Sequence, residues 1–175
     1  MVLKAKPFID AVEDIIGKYI KTENFKIVYL SPSKAFFSQK KAHQYAKLES
    51  LILISGRYEG IDFRFEQYLS QKYSKKFEKV SIGPYITMGG EVPSMVVMES
   101  VIRLLDGVIG DQNSVVEESY SDSKHTYLEY PQYTRPVEVY GLKVPSVLLG
   151  GNHSQIKKWR EENSSQIDVD KGLST

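Results

Sequence analysis

Leu51-Ile52-Leu53-Ile54 is an unbroken apolar run, followed at once by Ser55-Gly56-Arg57-Tyr58-Glu59-Gly60-Ile61-Asp62. A short continuous run of this kind suits a strand buried on both faces, the environment of a parallel sheet held between helices. Glycine directly after the strand removes a Cβ and lets a ligand or another backbone approach closely. In open α/β sheets ligands sit outside the carboxyl ends of the strands. The stretch therefore reads as a strand emptying into a site, with an ordinary glycine turn carrying solvated charges as the alternative.

Two further segments repeat the pattern. Phe25, Ile27, Val28, Tyr29 and Leu30 form a β-rich run stopped by Ser31-Pro32-Ser33, and Lys79 to Gly83 is a short strand that again runs into glycine. Between the strands lie helical patterns: Pro7 to Ile20, Ser38 to Ser50 and Phe63 to Lys76, then Val92 to Leu105 with Pro93 in its first turn. The alternation predicts an α/β fold with a parallel sheet flanked by helices. Three strand ends would point loops at one region walled by Leu30, Ile82, Tyr85 and Ile86, which suits an adenosine-containing ligand. Neither G-x-x-x-x-G-K-[ST] nor G-x-G-x-x-G occurs, so a P-loop or dinucleotide site is not expected. Lys40-Lys41-His43 reads as a solvated helix face, with phosphate contact as the alternative.

At 175 residues the chain has room for one core and a short appendage. It has no cysteine, which excludes disulfides and thiolate metal sites. Lys plus Arg at 23 against Asp plus Glu at 22 gives no global basic field, so nucleic acid would need a local patch. No apolar run approaches a membrane span and no signal-peptide pattern is present, which leads to an expectation of a cytoplasmic protein without membrane contact. Gly110 to Lys124 is polar and reads as a loop or linker. Beyond it, Tyr130-Pro131-Gln132-Tyr133-Thr134-Arg135-Pro136 could stack on bases and hold a phosphate, or form a rigid turn. Val144 to Leu149 reads as a final strand. Asn152 then caps a helix from His153 to Glu162 that carries Lys157, Lys158 and Arg160, and the polar end from Asn163 to Thr175 is expected to fray.

Four stretches in order, Ser55 to Asp62, Ser81 to Glu91, Pro131 to Pro136 and Val147 to His153, resemble the signatures of the bacterial tRNA (guanine-N1)-methyltransferases. The likeness runs from Met1 to about Arg160. It implies the SPOUT-type architecture, in which the parallel sheet is followed by a C-terminal trefoil knot, and S-adenosyl-L-methionine as donor, with a magnesium requirement, a tRNA substrate and a homodimer whose active site lies between subunits. It divides the chain into a knotted donor-binding domain over 1–109, a linker with the active-site loop over 110–125, and the start of a tRNA-binding domain over 126–175. Met1 to Lys6 gives little lead-in to the first helix, and the family's initial strands and most of its C-terminal domain are missing, so a fragment or shortened member is expected.

By the same resemblance the donor-binding residues are Tyr29, Leu30 and Ser31 in one turn, Gly56 in a second, and Ile82, Gly83, Pro84, Tyr85, Ile86, Thr87, Gly89 and Gly90 in a third. Arg103 falls where the family keeps an arginine near the target guanine, and Glu118 at the place of its catalytic aspartate. Arg135 and the basic helix fit the tRNA-facing side. Guanine N1 carries a proton, so a carboxylate that takes it and an arginine that stabilises charge at O6 suit the reaction. The sequence departs from the family with Glu118 for aspartate, Pro84 for aspartate, Met88 for serine, Gln132 for histidine and a longer Gly60–Ser81 segment. The alternative is a catalytically impaired relative that binds donor or RNA without turnover. No carboxylate or histidine spacing identifies metal ligands.

Overall fold

The computed structural model describes residues 1–110, 119–120 and 127–166. The chain forms two compact units, Met1–Gly110 and Asp111–Thr175.

The first unit runs α1 (Ala5–Tyr19), β1 (Phe25–Leu30), α2 (Gln39–Tyr45), β2 (Ser50–Ser55), α3 (Arg64–Lys72), β3 (Phe77–Val80) and α4 (Glu91–Ile102). Its sheet has the order β2-β1-β3 and is parallel throughout, with Leu30 opposite both Ser55 and Val80. All three strands therefore end level with one another. The expected α/β architecture with a helix-flanked parallel sheet is what forms.

Alternation along β1 builds two cores. Phe25, Ile27 and Tyr29 join Val12, Ile52, Ile54, Phe65 and Leu69 in a cluster made with α1 and α3. Val28 and Leu30 join Val80 of β3 with Ala42 and Tyr45 of α2 and Val97 and Val101 of α4. Phe65 has no exposed surface and meets the rings of Phe8, Tyr29 and Phe77 edge-on at 5.6–6.3 Å. Truncating such a ring typically costs about 3–5 kcal/mol.

Several boundaries differ from expectation for local reasons. Helix α2 stops at Tyr45 because Asn24 takes the chain into β2: its Nδ2 donates to Lys47 O at 3.0 Å and its carbonyl accepts from Glu49 N at 3.0 Å. Helix α3 stops at Lys72, and Tyr73 uses its carbonyl to close a turn onto Lys76 and Phe77. Strand β3 ends at Val80, and Ser81 pairs instead with the 35–37 segment through Ser81 N to Ala35 O at 2.9 Å and Phe37 N to Ser81 O at 2.7 Å.

Lys41 does not sit on a solvated face. It pairs with Glu78, whose side chain is only 21% exposed and which also accepts from Tyr45 Oη at 2.9 Å, with Lys26 3.7 Å away. Burial pushes the Glu78 carboxyl up, but the Lys41 and Tyr45 hydrogen bonds and the two lysine charges outweigh it and hold the group below its ordinary value. Burial beside that carboxylate drives the Tyr45 phenol far above its usual range. On the other face Glu13 of α1 accepts from Lys72, Tyr68 and Tyr73. Burial again opposes ionisation there, and the three hydrogen bonds overcome it to leave the carboxyl lowered.

The second unit is built of short elements. A two-residue antiparallel pair joins β4 (Tyr127–Leu128) to β7 (Ser165–Gln166), and β5 (Glu138–Val139) pairs with β6 (Leu142–Lys143). The expected strand at Val144–Leu149 is instead a short helix, α5 (Ser146–Leu149), started by Pro145 and ended by Gly150. Asn152 caps α6 (His153–Asn163) as expected, accepting from Gln155 N at 3.2 Å. Trp159 of α6 meets the Tyr130 and Tyr133 rings at 6.3 and 6.1 Å, and Arg160 lies 4.7 Å from the Tyr130 ring centre.

Both lowered carboxyls give stability that is complete above the ordinary glutamate value of about 4.5 and is lost as pH falls through their folded values. Urea midpoints should be flat near neutrality and fall below about pH 4.5. Glu78→Gln should cost about 1–3 kcal/mol at pH 7 and flatten the acid limb, measured by urea denaturation across pH.

Candidate functional site

The level strand ends leave a cavity of about 270 Å³ in the first unit, at the carboxyl end of the sheet. One wall is the turn after β1, Tyr29 to Pro32; a second is the turn after β2, Gly56 to Gly60; a third is the segment Val80 to Ile82 with Tyr85 to Gly90. Pro93 of α4 closes the floor. A smaller space of about 170 Å³ adjoins it, lined by Ser33, Phe36, Gly83 and Pro84, with Pro32, Ser81, Tyr85 and Ile86 common to both.

Of the twelve residues expected to hold a donor, Tyr29, Leu30, Ser31, Gly56, Ile82, Tyr85, Ile86, Thr87, Gly89 and Gly90 line the main cavity. Gly83 and Pro84 line the adjoining space. Arg57, Tyr58, Glu59, Gly60, Met88 and Pro93 also face the main cavity and were not among the expected contacts. The first four sit inside the motif that flagged Gly56 and could have been found by giving the whole turn a role. Met88 sits between the expected Thr87 and Gly89 and was open to the same reading, whereas Pro93 needed the three-dimensional register.

Close backbone approaches explain the glycines. Gly90 N donates to Gly56 O at 2.8 Å, Arg57 and Gly89 form an antiparallel bridge, and Ser55 Oγ lies 2.8 Å from Ser94 Oγ. A Cβ on Gly90 would sit 2.7 Å from Ser55 Cα and 3.1 Å from Gly56 N, so any side chain there drives two backbone segments apart. At Gly83 a Cβ would overlap the ring of Tyr85, a half-exposed side chain able to swing aside. The Tyr29 hydroxyl lies 3.2 Å from where a Gly56 Cβ would stand and 3.3 Å from that of Gly60, so the first turn packs directly on the second. Tyr58 holds a left-handed backbone, φ 58°, on the exposed rim.

Charges border the cavity. Arg57 Nε donates to Glu91 Oε1 at 2.6 Å; that bond raises the guanidinium and keeps the Glu91 carboxyl below the usual range. The Met1 ammonium lowers Glu59 in the same way. Asp62, at the end of the second turn, is pushed down to about 2 by the Arg64 side chain and its backbone N–H.

Arg103 is not at this cavity. It caps the far end of α4, and a 12-residue helix rises about 18 Å from the Gly90 end. Glu118 lies outside the described residues. Arg135 belongs to the second unit, as does the basic α6. Among the described residues no group of three or more His, Cys, Asp or Glu could hold a metal ion. No described helix is long and apolar enough to cross a membrane.

Fold and cavity together define an α/β protein with a small-molecule cleft at the carboxyl ends of a parallel sheet. The family model described as tRNA (Guanine-1)-methyltransferase TrmD matches residues 1–171. Proteins called tRNA (guanine-N(1)-)-methyltransferase are similar to the chain. That of Geobacillus kaustophilus is 46% identical over 164 residues, covering 94% of this chain and 62% of the relative. That of Heliobacterium modesticaldum is 44% identical over 166 residues, covering 94% and 58%, and that of Bacillus subtilis 44% over 164 residues, covering 94% and 63%. The chain belongs to the tRNA (guanine-1)-methyltransferase family. It spans about 60% of the length of the curated relatives it matches.

Gly90→Ala should destabilise the first unit by about 1–3 kcal/mol, because the added methyl meets main chain. Gly83→Ala, which meets only a movable ring, should leave the thermal midpoint within about 2 °C of the parent. Thermal denaturation of the two variants side by side checks the contrast.

Proposed function

We propose that this chain carries the donor-binding unit of an enzyme that methylates guanine N1 in tRNA, on the 3′ side of the anticodon, with S-adenosyl-L-methionine as methyl donor. The observation that carries the reading is the convergence of three separate turns on one cleft, all but Gly83 and Pro84 of the expected donor-binding residues lining its main cavity. The two adjoining spaces are on the scale of a small organic ligand. Backbone amides and carbonyls of the glycine turns meet the polar edges of an adenosine, and Leu30, Ile82 and Ile86 cover its apolar faces.

The donor, when bound, supplies an electrophilic methyl group on a sulfonium. The residues of the chain do the rest by positioning. Glu118 accepts the proton from guanine N1, and Arg103 stabilises the negative charge that moves to O6. The division is a donor-binding unit over 1–109 of SPOUT type with its trefoil knot, a linker over 110–125 bearing Glu118, and a tRNA-facing segment over 126–175 containing Arg135 and the Lys157-Lys158-Arg160 cluster.

Two copies are needed to assemble the site. Arg103 lies a helix length from the cleft of its own unit. Helix α4 carries apolar side chains on every side, with Glu91, Ser94, Glu99 and Ser100 its polar residues: Pro93, Val97 and Val101 are buried, whereas Val92, Met95, Val96, Met98 and Ile102 are exposed by 42–62%. A helix without a polar face calls for cover on both sides, and a second copy of the same helix supplies it. The alternative, a donor-binding module without turnover, is favoured by glutamate at 118 and by the exposure of every described side chain in the second unit to at least an intermediate degree.

Calorimetry with S-adenosylmethionine should show binding by the parent and none by Gly83→Trp, whose indole fills the adjoining space. A folded parent that takes up no donor contradicts the reading. Given binding, Glu118→Gln should lower methyl transfer to tRNA by about 10²–10⁴-fold without weakening donor binding. Met95→Glu should turn a dimer into a monomer in sedimentation and abolish transfer, while leaving donor affinity unchanged because the cleft is built within one chain.

A further inference from the structure

We infer that Glu91 is a positioning residue for the cleft, acting through Arg57 as a clasp that fastens the Thr87–Gly90 turn onto the Ser55–Gly60 turn. This deepens, and rests on, the reading of the cleft as a methyl-donor site.

The third turn has little else to hold it. Ile86 and Met88 are 81% and 93% exposed, so the segment buries almost no apolar surface of its own. Its attachments to the second turn are the Gly90–Gly56 hydrogen bond, the Arg57–Gly89 bridge and the Arg57–Glu91 ion pair. The pair lies directly across Gly89. A Cβ there would overlap the Glu91 carboxylate and stand 3.2 Å from Arg57 Cγ, so the glycine is the gap through which the two side chains join.

The two partners are differently placed. Arg57 lines the cavity and Glu91 does not. Glu91 stands in the first turn of α4, where the helix dipole favours a carboxylate, and α4 is anchored by Val97 and Val101 in the core. A fixed carboxylate on a rigid helix thus holds a cation on a turn, setting the angle between two walls of the cleft. Side chains exposed by 58% and 48% contribute little to global stability in such a pair. Its effect is local.

The test is a double-mutant cycle of Arg57→Gln, Glu91→Gln and the pair together in the full chain, read by S-adenosylmethionine calorimetry and by hydrogen exchange at the Gly90 amide. Each single variant should weaken donor binding about tenfold, and the double variant no further than either single. The Gly90 amide should exchange faster in every variant, with thermal midpoints within about 2 °C of the parent. Donor affinity and Gly90 exchange unchanged in Glu91→Gln would overturn the clasp. Additive losses would also overturn it, by showing that Arg57 touches the ligand on its own account. A parent that binds no donor refutes the methyl-donor reading instead, and Gly90 exchange then decides the clasp alone.

Discussion

Strand β1 is hydrogen-bonded along both edges and covered on both faces, and the first unit depends on that double burial. Every backbone amide of an inner strand must find a partner in a neighbouring strand, so β2 and β3 are drawn to opposite sides of β1. Apolar side chains pointing alternately up and down then require a helical layer on each face. Parallel pairing in register makes the three strands finish at one level, with Leu30, Ser55 and Val80 abreast. The cleft is a consequence of that finish: three chains leave the sheet at the same place and turn around a common space.

What converts a gap between turns into a shaped cleft is the near contact of main chain with main chain. Gly90 lies against Ser55 and Gly56 closely enough to exclude a methyl group, and the serine pair Ser55–Ser94 ties the start of α4 to the end of β2. The helix that closes the floor is thus seated on the strand that opens one wall. Partly buried carboxylates beside the two cores follow the same economy, with Glu78 and Glu13 each satisfied by cations and phenols rather than left to lose their charge.

The sequence made the class of fold legible because its apolar runs and glycines alternate at a spacing that only a strand–helix repeat satisfies. It also made the cleft legible, because three strands stop at Ser31, Gly56 and the Ser81–Gly83 stretch. Other features depended on distant partners. The early end of α2 comes from Asn24, fifteen residues before the helix begins, and Lys41 looked like a solvated charge until β3 brought Glu78 beneath it. Val144–Leu149 has strand composition, yet Pro145 and Gly150 bracket only one helical turn and no described strand is at hand to pair with it. Arg57 and Glu91 are thirty-four residues apart, and nothing in either local pattern announces that they meet over Gly89.

The central claim is that the three turns at the carboxyl end of the sheet form one donor site. Titrating isotopically labelled protein with S-adenosylhomocysteine while following backbone amide shifts tests it directly. The account predicts saturable shifts concentrated at Tyr29–Ser31, Gly56–Gly60 and Ile82–Gly90, with the opposite end of the sheet unmoved. Saturable shifts located elsewhere, or none at millimolar ligand with the protein folded, would contradict it.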